Sequence, residues 1–346
     1  MAEKPERNHA SYSLVSKYRG VLMGVAILSI ILFHYAQDCV HSEAEIGSFI
    51  RRYYKYIGSG GVDIFLLLSG FGLYYSAKKS PDLSPKDFYR RRFTRVLIPY
   101  FLVAVPKIFL ADMLIEGKTF GYCLSDLFFI TFFREGRAWF WYIIMICICY
   151  LLFPYFYRLI DDGNDLAAQT RTAVFFCFFT VISLLFSVQA PKMFRNTSVL
   201  WPRFFPFVLG IYFGRVGYAG KRVSPGVFLF CCCSVFFLPL MNSAQIIVQR
   251  YIMMAFHILL YMILILFLEF SPIGKVKPAV RALDVIGGYT LELYLTHSVA
   301  RSIFQILGRP CSVLKNEILM LVISVALAVL LKKITRPVTA ALSKKA

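Results

Sequence analysis

Long runs of apolar residues, each close to the length of a membrane-spanning helix, dominate this sequence of 346 residues. A helix needs about 20 consecutive apolar residues to cross a hydrocarbon core that is roughly 30 Å thick. The predicted spans are 20–36, 57–76, 96–115, 139–157, 172–188, 199–214, 226–241, 251–270, 284–307 and 317–331. The pattern therefore predicts an all-α, polytopic bundle of about ten transmembrane helices.

One further apolar segment, 120–133, is shorter than a span requires and contains Asp126. We interpret it as a re-entrant or interfacial piece. The sequence shows no internal repeat and no polar stretch long enough for a separate soluble domain. Residues 1–346 are therefore predicted to form a single membrane-embedded domain, with short cytoplasmic tails at 1–18 and 336–346.

Composition and charge support the bilayer as the main solvent of this chain. Hydrophobic residues make up 58% and charged residues 16%, against about 45–50% and about 25% in a soluble domain. The net charge of +19 would suggest nucleic acid in a soluble protein. Here, however, the basic residues lie at the ends of the apolar runs, as in proteins oriented by the positive-inside rule. We therefore predict two cytoplasmic termini, a lipid bilayer as partner and no nucleic-acid binding.

His34 is the first polar residue that suggests chemistry. It follows the apolar run VAILSIILF and lies roughly 22 Å from Arg19 along a helix, in the outer half of the membrane. A neutral imidazole can accept a proton from a hydroxyl, and Gln37 or Asp38 is placed to hold its other nitrogen. The alternative is an interfacial histidine that is satisfied by water or a backbone carbonyl.

Asp63 lies in the first turn of the second span, at a depth similar to that of His34. A base and the carboxylate that orients it would need such a placement. The neighbouring glycines Gly58, Gly60 and Gly61 leave the backbone open for close packing or for a ligand. The alternative is a carboxylate that is simply favoured by the helix dipole.

An arginine cluster precedes the third span in the segment DFYRRRFTRVLIPY: Arg90, Arg91, Arg92 and Arg95. Guanidinium groups bind phosphate through paired hydrogen bonds, which suits them to a phosphorylated ligand. The alternative is a stop-transfer anchor. The histidines and cysteines show no spacing typical of a metal site, so no metal is predicted.

Two further segments carry unusual polarity. GGYTLELYLTH brings Glu292, Tyr294 and His297 into the ninth span, and Glu292 and His297 are not on one helix face. Trp139 lies in an aromatic group that forms either an interfacial belt or a platform for a sugar ring. We predict that Trp139, Tyr294 and His297 contact the substrate.

These segments, in this order, resemble the acyltransferase-3 family of integral membrane O-acyltransferases. The matching pieces are YRGVLMGVAILSIILFH, GGVDIFLLLSGF, FYRRRFTRVLIPY, AWFWYI and GGYTLELYLTH. The resemblance implies a catalytic histidine at His34 and a cytosolic acyl-CoA donor facing Arg91, Arg92 and Arg95. It implies transfer of acetyl, or another short acyl group, to a hydroxyl of a sugar or cell-envelope glycan, with no tightly bound cofactor. It also implies a bacterial cytoplasmic membrane.

The sequence departs from the family at one position. The family usually has an arginine eleven residues before this histidine, where this chain has Met23. Arg19 lies one turn nearer the cytosol and roughly 60° around the helix, and we predict that it takes over this role.

A rival interpretation is a multi-pass transporter or flippase in which His34, Asp63 and Glu292 form a proton relay. The sequence lacks the inverted repeat and paired broken helices of many transporters, so acyl transfer is preferred.

Overall fold

The computed structural model describes residues 13–42, 47–221, 225–239 and 245–344, which form sixteen α-helices and no strand. The helices are α1 Ser13–Lys17, α2 Arg19–His41, α3 Ser48–Tyr56, α4 Gly60–Lys79, α5 Pro85–Ile108, α6 Phe120–Leu127, α7 Ile130–Glu135, α8 Trp141–Asp161, α9 Asp165–Gln189, α10 Pro191–Thr197, α11 Phe204–Tyr218, α12 Pro225–Phe237, α13 Ile246–Phe270, α14 Lys277–Gly287, α15 Thr290–Ile306 and α16 Leu314–Lys344. The end of the predicted seventh span (240–241) and the tail residues 1–12 and 345–346 lie outside the described residues.

The predicted all-α, polytopic architecture is confirmed. Among the described residues, seven helical segments are long and apolar enough to cross a membrane: Arg19–His41, Ser48–Lys79, Pro85–Ile115, Trp141–Asp161, Asp165–Gln189, Ile246–Phe270 and Leu314–Leu342. The other three predicted spans correspond to shorter helices: α11 with 15 residues, α12 with 13 and α15 with 17. The number of ten spans and the cytoplasmic termini stay predictions.

The prediction of one continuous helix for the ninth span, 284–307, is wrong. The chain forms α14, breaks at Gly288 and Tyr289, and starts again as α15. α14 packs closely on α2, and a Cβ atom at Gly287 would overlap the carbonyl oxygen of Gly20. Gly287 thus allows a close crossing of α14 and α2.

The segment 120–133 forms two short helices rather than one. α6 and α7 meet at Phe129, whose φ of 62° lies in the left-handed region. Arg137 contacts this segment through Nη1, which donates to the Tyr122 hydroxyl at 3.2 Å, and through Nε, which lies 3.8 Å from Asp126 Oδ2. Its short, broken form agrees with the prediction of a piece that does not span.

Ion pairs join the ends of several helices on one side of the bundle. Asp161 of α8 accepts a hydrogen bond from Lys78 of α4 at 2.9 Å, and its backbone carbonyl accepts one from Arg215 of α11 at 2.6 Å. The charge pattern assigns these three helix ends to the cytoplasmic side. The contacts between these three helix ends agree with spans that alternate in direction across the membrane.

The most extensive helix packing in the core is between α4 and α11, and it depends on glycine. A Cβ atom at Gly210 would overlap the carbonyl oxygen of Leu67, and one at Gly70 would overlap that of Phe207. Small residues let two backbones approach within van der Waals contact, which drives helix association in lipid. This pair carries Asp63 at one end and Ser76 at the other.

We expect Gly210→Ala to lower the free energy of unfolding by about 1–3 kcal/mol, because the added methyl group overpacks this crossing. The melting temperature of purified protein in detergent measures the effect. Gly121→Ala is the matched control, since no described atom lies within 4 Å of the added Cβ. Equal melting temperatures for the two variants would contradict backbone contact between α4 and α11.

Candidate active site

Two cavities lie toward opposite ends of α2, and they are lined by most of the residues that the sequence assigns to a site, though not by Arg90 or Asp38. The first, of about 840 Å³, is lined by His34, His257 and His297, and we call it the histidine cavity. The second, of about 920 Å³, is lined by Arg19, Arg91, Arg92 and Arg95, and we call it the arginine cavity.

His34 sits on the face of α2 that looks toward α15. Its Nδ1 atom lies 3.4 Å from Gln37 Oε1 and 3.3 Å from Arg301 Nη1. When Nδ1 carries the proton and donates to Gln37, Nε2 keeps a lone pair and can accept a proton. Asp38 does not reach the imidazole. It accepts hydrogen bonds from Arg301, one of them from Nε at 2.9 Å, and so holds that guanidinium beside His34.

His297 stacks beside His34, with 5.9 Å between the ring centres and 28° between the ring planes. It is 3% exposed, and neither of its ring nitrogens has a hydrogen-bond partner among the described residues. Buried polar atoms rarely stay without partners, so these nitrogens are available to a ligand in the cavity. Tyr294, one turn earlier on α15, lines the same cavity.

The prediction that Asp63 orients His34 is wrong. Asp63 Oδ2 lies 2.7 Å from His257 Nδ1, and Oδ1 lies 3.2 Å from Arg203 Nε. The side chain of Asp63 points toward α13 and the start of α11, whereas His34 faces α15. All three members of this buried group line the histidine cavity, on the wall away from His34.

Trp139 lies at the mouth of the histidine cavity, where it packs against a lysine. The Lys107 ammonium is 3.5 Å from the Trp139 ring centre and donates to Ser298 Oγ at 2.9 Å. Phe140, between the two tryptophans, has a φ of 51° in the left-handed region. This backbone turn starts α8 with Trp139 and Trp141 both on the cavity wall.

The arginine cavity brings together the four arginines that the sequence assigns to the donor. Arg92 Nη2 donates to Ser76 Oγ at 2.9 Å, which fixes that guanidinium at the end of α4. Two further cations from α16 complete the wall, Lys332 and Arg336, while its acidic residues are Asp284 and Glu292. Six basic side chains against two acidic ones favour a polyanionic ligand.

Arg19 and Met23 both line the arginine cavity, one helical turn apart. The Arg19 guanidinium lies against Gly72 of α4, where the absent side chain leaves room for it. Arg19 therefore reaches the cavity that an arginine at position 23 would also reach.

The same three helices line both cavities. α2 contributes Arg19 to Met23 at one end and Ile27 to Gln37 at the other, and α4 and α15 divide in the same way. The boundary on α2 falls between Met23 and Ile27, about 6 Å at a 1.5 Å rise per residue. On α15 it falls between Glu292 and Tyr294, whereas on α4 the lining residues nearest to each other are Asp63 and Ser76, about 20 Å apart at the same rise. The two cavities thus approach within about one helical turn along α2 and α15, but not along α4.

Several site residues were not identified from the sequence. His257, Arg203 and Arg250 line the histidine cavity, and each lies in an apolar segment with no recognisable motif around it. A polar residue inside a predicted span is itself a signal, because an unpaired charge in hydrocarbon is costly. Arg250 and His257 are seven positions apart, which places them on one face of α13.

Comparison with known proteins agrees with this arrangement. The acyltransferase-3 family model, described as an acyltransferase domain, matches residues 21–332. The chain is 27% identical over 227 residues to Acyltransferase MdmB of Streptomyces mycarofaciens, which covers 58% of this chain and 57% of that protein. The chain thus aligns with little more than half of this curated relative. No solved structure shows significant similarity to this chain.

The family match begins in the first span and ends in α16, so it includes the whole histidine cavity and most of the arginine cavity, but not Arg19 or Arg336. It also includes all five segments that carry the resemblance, apart from the first three residues of the first one. The chain therefore belongs to the acyltransferase-3 family of integral membrane acyltransferases.

Proposed function

We propose that this protein transfers an acetyl or other short acyl group from cytosolic acyl-CoA to a hydroxyl of a sugar or cell-envelope glycan, in the bacterial cytoplasmic membrane. The observation that carries this proposal is the pair of cavities on shared helices. An arginine-rich cavity suits the phosphates of the donor, and a histidine-rich cavity suits deprotonation of a hydroxyl. Only about one helical turn of α2 separates them.

The donor would bind with its nucleotide in the arginine cavity, which lies on the side that the charge pattern assigns to the cytoplasm. Arg91, Arg92 and Arg95 project from α5, and Arg19 approaches from α2. Charge-assisted hydrogen bonds from these groups would hold the phosphates. The pantetheine arm would pass between Met23 and Leu291 toward the histidine cavity.

His34 would act as the general base. Its Nε2 atom would take the proton of the acceptor hydroxyl while the hydroxyl oxygen forms a bond to the thioester carbonyl carbon. As the tetrahedral intermediate collapses, the carbon–sulfur bond breaks and the thiolate takes the proton back from the imidazolium. The products are an ester and free CoA, and His34 returns to its starting state.

Neighbouring groups would support this step in separate ways. Gln37 Oε1 can only accept a hydrogen bond, so it favours the tautomer of His34 that carries the proton on Nδ1 and leaves Nε2 free to act as the base. Arg301 Nη1, 3.3 Å from the same Nδ1 atom, can only donate and favours the opposite tautomer. Arg301, held by Asp38, would stabilise the oxyanion of the intermediate from the same side. His297 would hydrogen-bond the acceptor through its unpartnered nitrogens.

The transporter alternative finds less support in this geometry. A proton relay through His34, Asp63 and Glu292 needs these groups in one connected path. Asp63 is instead paired with His257 and Arg203, and Glu292 lines the other cavity.

We expect His34→Ala to lower the rate of acyl transfer at least about 100-fold, the usual contribution of a general base. Transfer of radiolabelled acetyl from acetyl-CoA to acceptors in membrane vesicles measures this. His41→Ala, on the same helix but outside both cavities, is the matched control. Thermal stabilisation by acetyl-CoA should survive in His34→Ala. A variant that binds the donor and transfers at the wild-type rate would rule out the base role.

We expect the double variant Arg91→Gln/Arg92→Gln to raise KM for acetyl-CoA about 10- to 100-fold, since each lost charged hydrogen bond costs about 1.5–3 kcal/mol and the neighbours partly compensate. KM for the acceptor should stay unchanged. The control Arg51→Gln/Arg52→Gln removes the same charge from two exposed residues that line neither cavity. Equal rises in both KM values would indicate that the cluster is a membrane anchor.

A further inference from the structure

The histidine cavity is strongly basic, which transfer to a neutral sugar does not require. Its wall includes one carboxylate, Asp63, among the described residues. The basic side chains on the same wall are Lys55, Arg137, Arg203, Arg250 and Arg301. Charges within a membrane protein are costly unless paired, so an excess of one sign calls for an explanation.

Three of these cations are paired with a carboxylate. Arg301 binds Asp38, and Arg137 binds Asp112 at 2.6 Å. Arg203 shares Asp63 with His257. These pairs account for the acidic groups near the wall and fix the three guanidinium groups in place.

Arg250 has no such partner. It lies near the start of α13, half-buried, with no hydrogen bond or ion pair to any of the residues that the structure describes. Arg203 and Asp63 are the charged groups that act on it, and Asp63 already serves two other residues. Its guanidinium therefore offers free donors to whatever occupies the cavity.

Lys107 is a second cation without a carboxylate of its own within 4 Å among the described residues. It is 7% exposed, and its hydrogen bond goes to the neutral Ser298 hydroxyl. Ser298, Trp139 and Phe140, which the Lys107 ammonium contacts, all line the histidine cavity. A lysine this deep would gain from a negative charge in the adjoining space.

We propose that the acceptor is anionic: a sugar that carries a phosphate or carboxylate group, bound in the histidine cavity with this group on Arg250. The proposal rests on the proposed function and names the substrate class of the same site. Arg250 and Arg203 would hold the anion near the start of α13, while His34 and His297 would meet the reacting hydroxyl at α2 and α15. The volume of about 840 Å³ lies within the usual range of small-molecule sites.

The test measures the thermal stability of the full-length protein in detergent with three probes at equal ionic strength: glucose 1-phosphate, glucuronate and glucose. A ligand that binds only the folded state raises the melting temperature by mass action. We expect at least one anionic sugar to bind 10-fold or more tightly than glucose. Arg250→Gln should weaken that binding about 10-fold, and Arg52→Gln, outside the cavity, should not.

Further measurements distinguish an anionic sugar from free phosphate and from an anionic lipid as the ligand of Arg250. Inorganic phosphate that stabilises as well as glucose 1-phosphate would overturn the proposal. So would stabilisation by phosphatidylglycerol over phosphatidylcholine in nanodiscs with no effect of either anionic sugar, because Arg250 would then bind a lipid headgroup. Equal binding of glucose and the anionic sugars would overturn it as well.

Acetyl-CoA serves as the folding control for Arg250→Gln, since the donor is expected in the other cavity. A variant that acetyl-CoA stabilises normally is folded, so any loss of sugar binding belongs to the histidine cavity. If acetyl-CoA stabilises neither protein, the proposed function fails, but the comparison of charged and neutral sugars still decides the nature of this site.

Discussion

A charge inside a hydrocarbon layer needs a partner, and this constraint arranges most of the polar residues in the bundle. Asp63 is neutralised by Arg203 and His257, and Asp38 by Arg301. Each pair ties one helix to another that is distant in sequence. The pairs also leave a polar space between the helices, because the charged heads gather there and the apolar faces turn outward. The histidine cavity is therefore built by the same contacts that satisfy its charges.

The charged groups of the arginine cavity are arranged differently. Arg19, Arg91 and Arg95 are exposed, and the cations on the wall greatly outnumber the acidic residues. Such a cavity attracts a polyanion and releases it without a large desolvation cost. α2, α4 and α15 pass from this site to the histidine cavity. We therefore see the two cavities as the two ends of one reaction path across part of the membrane.

The sequence predicted the all-α membrane architecture because a span has a simple signature in apolar length. It singled out His34 and the arginine cluster as candidates because they interrupt or flank such runs, and the structure places them on the walls of two cavities. It failed at Asp63, since the depth of a residue in the membrane does not reveal which way its side chain points. Its partner His257 comes from α13, far along the chain, and only the packing of α4 against α11 and α13 brings them together. The break before α15 was missed because the glycines that cause it also occur within spans.

We propose that one donor molecule occupies both cavities at once. A cryo-electron microscopy structure with an unreactive acetyl-CoA analogue, in which a methylene group replaces the thioester sulfur, would show this arrangement. We expect its phosphates within hydrogen-bond distance of Arg91 and Arg92, and its acyl carbonyl in the histidine cavity beside His34. An analogue whose phosphates bind the arginines but whose acyl end turns away from His34 would contradict it.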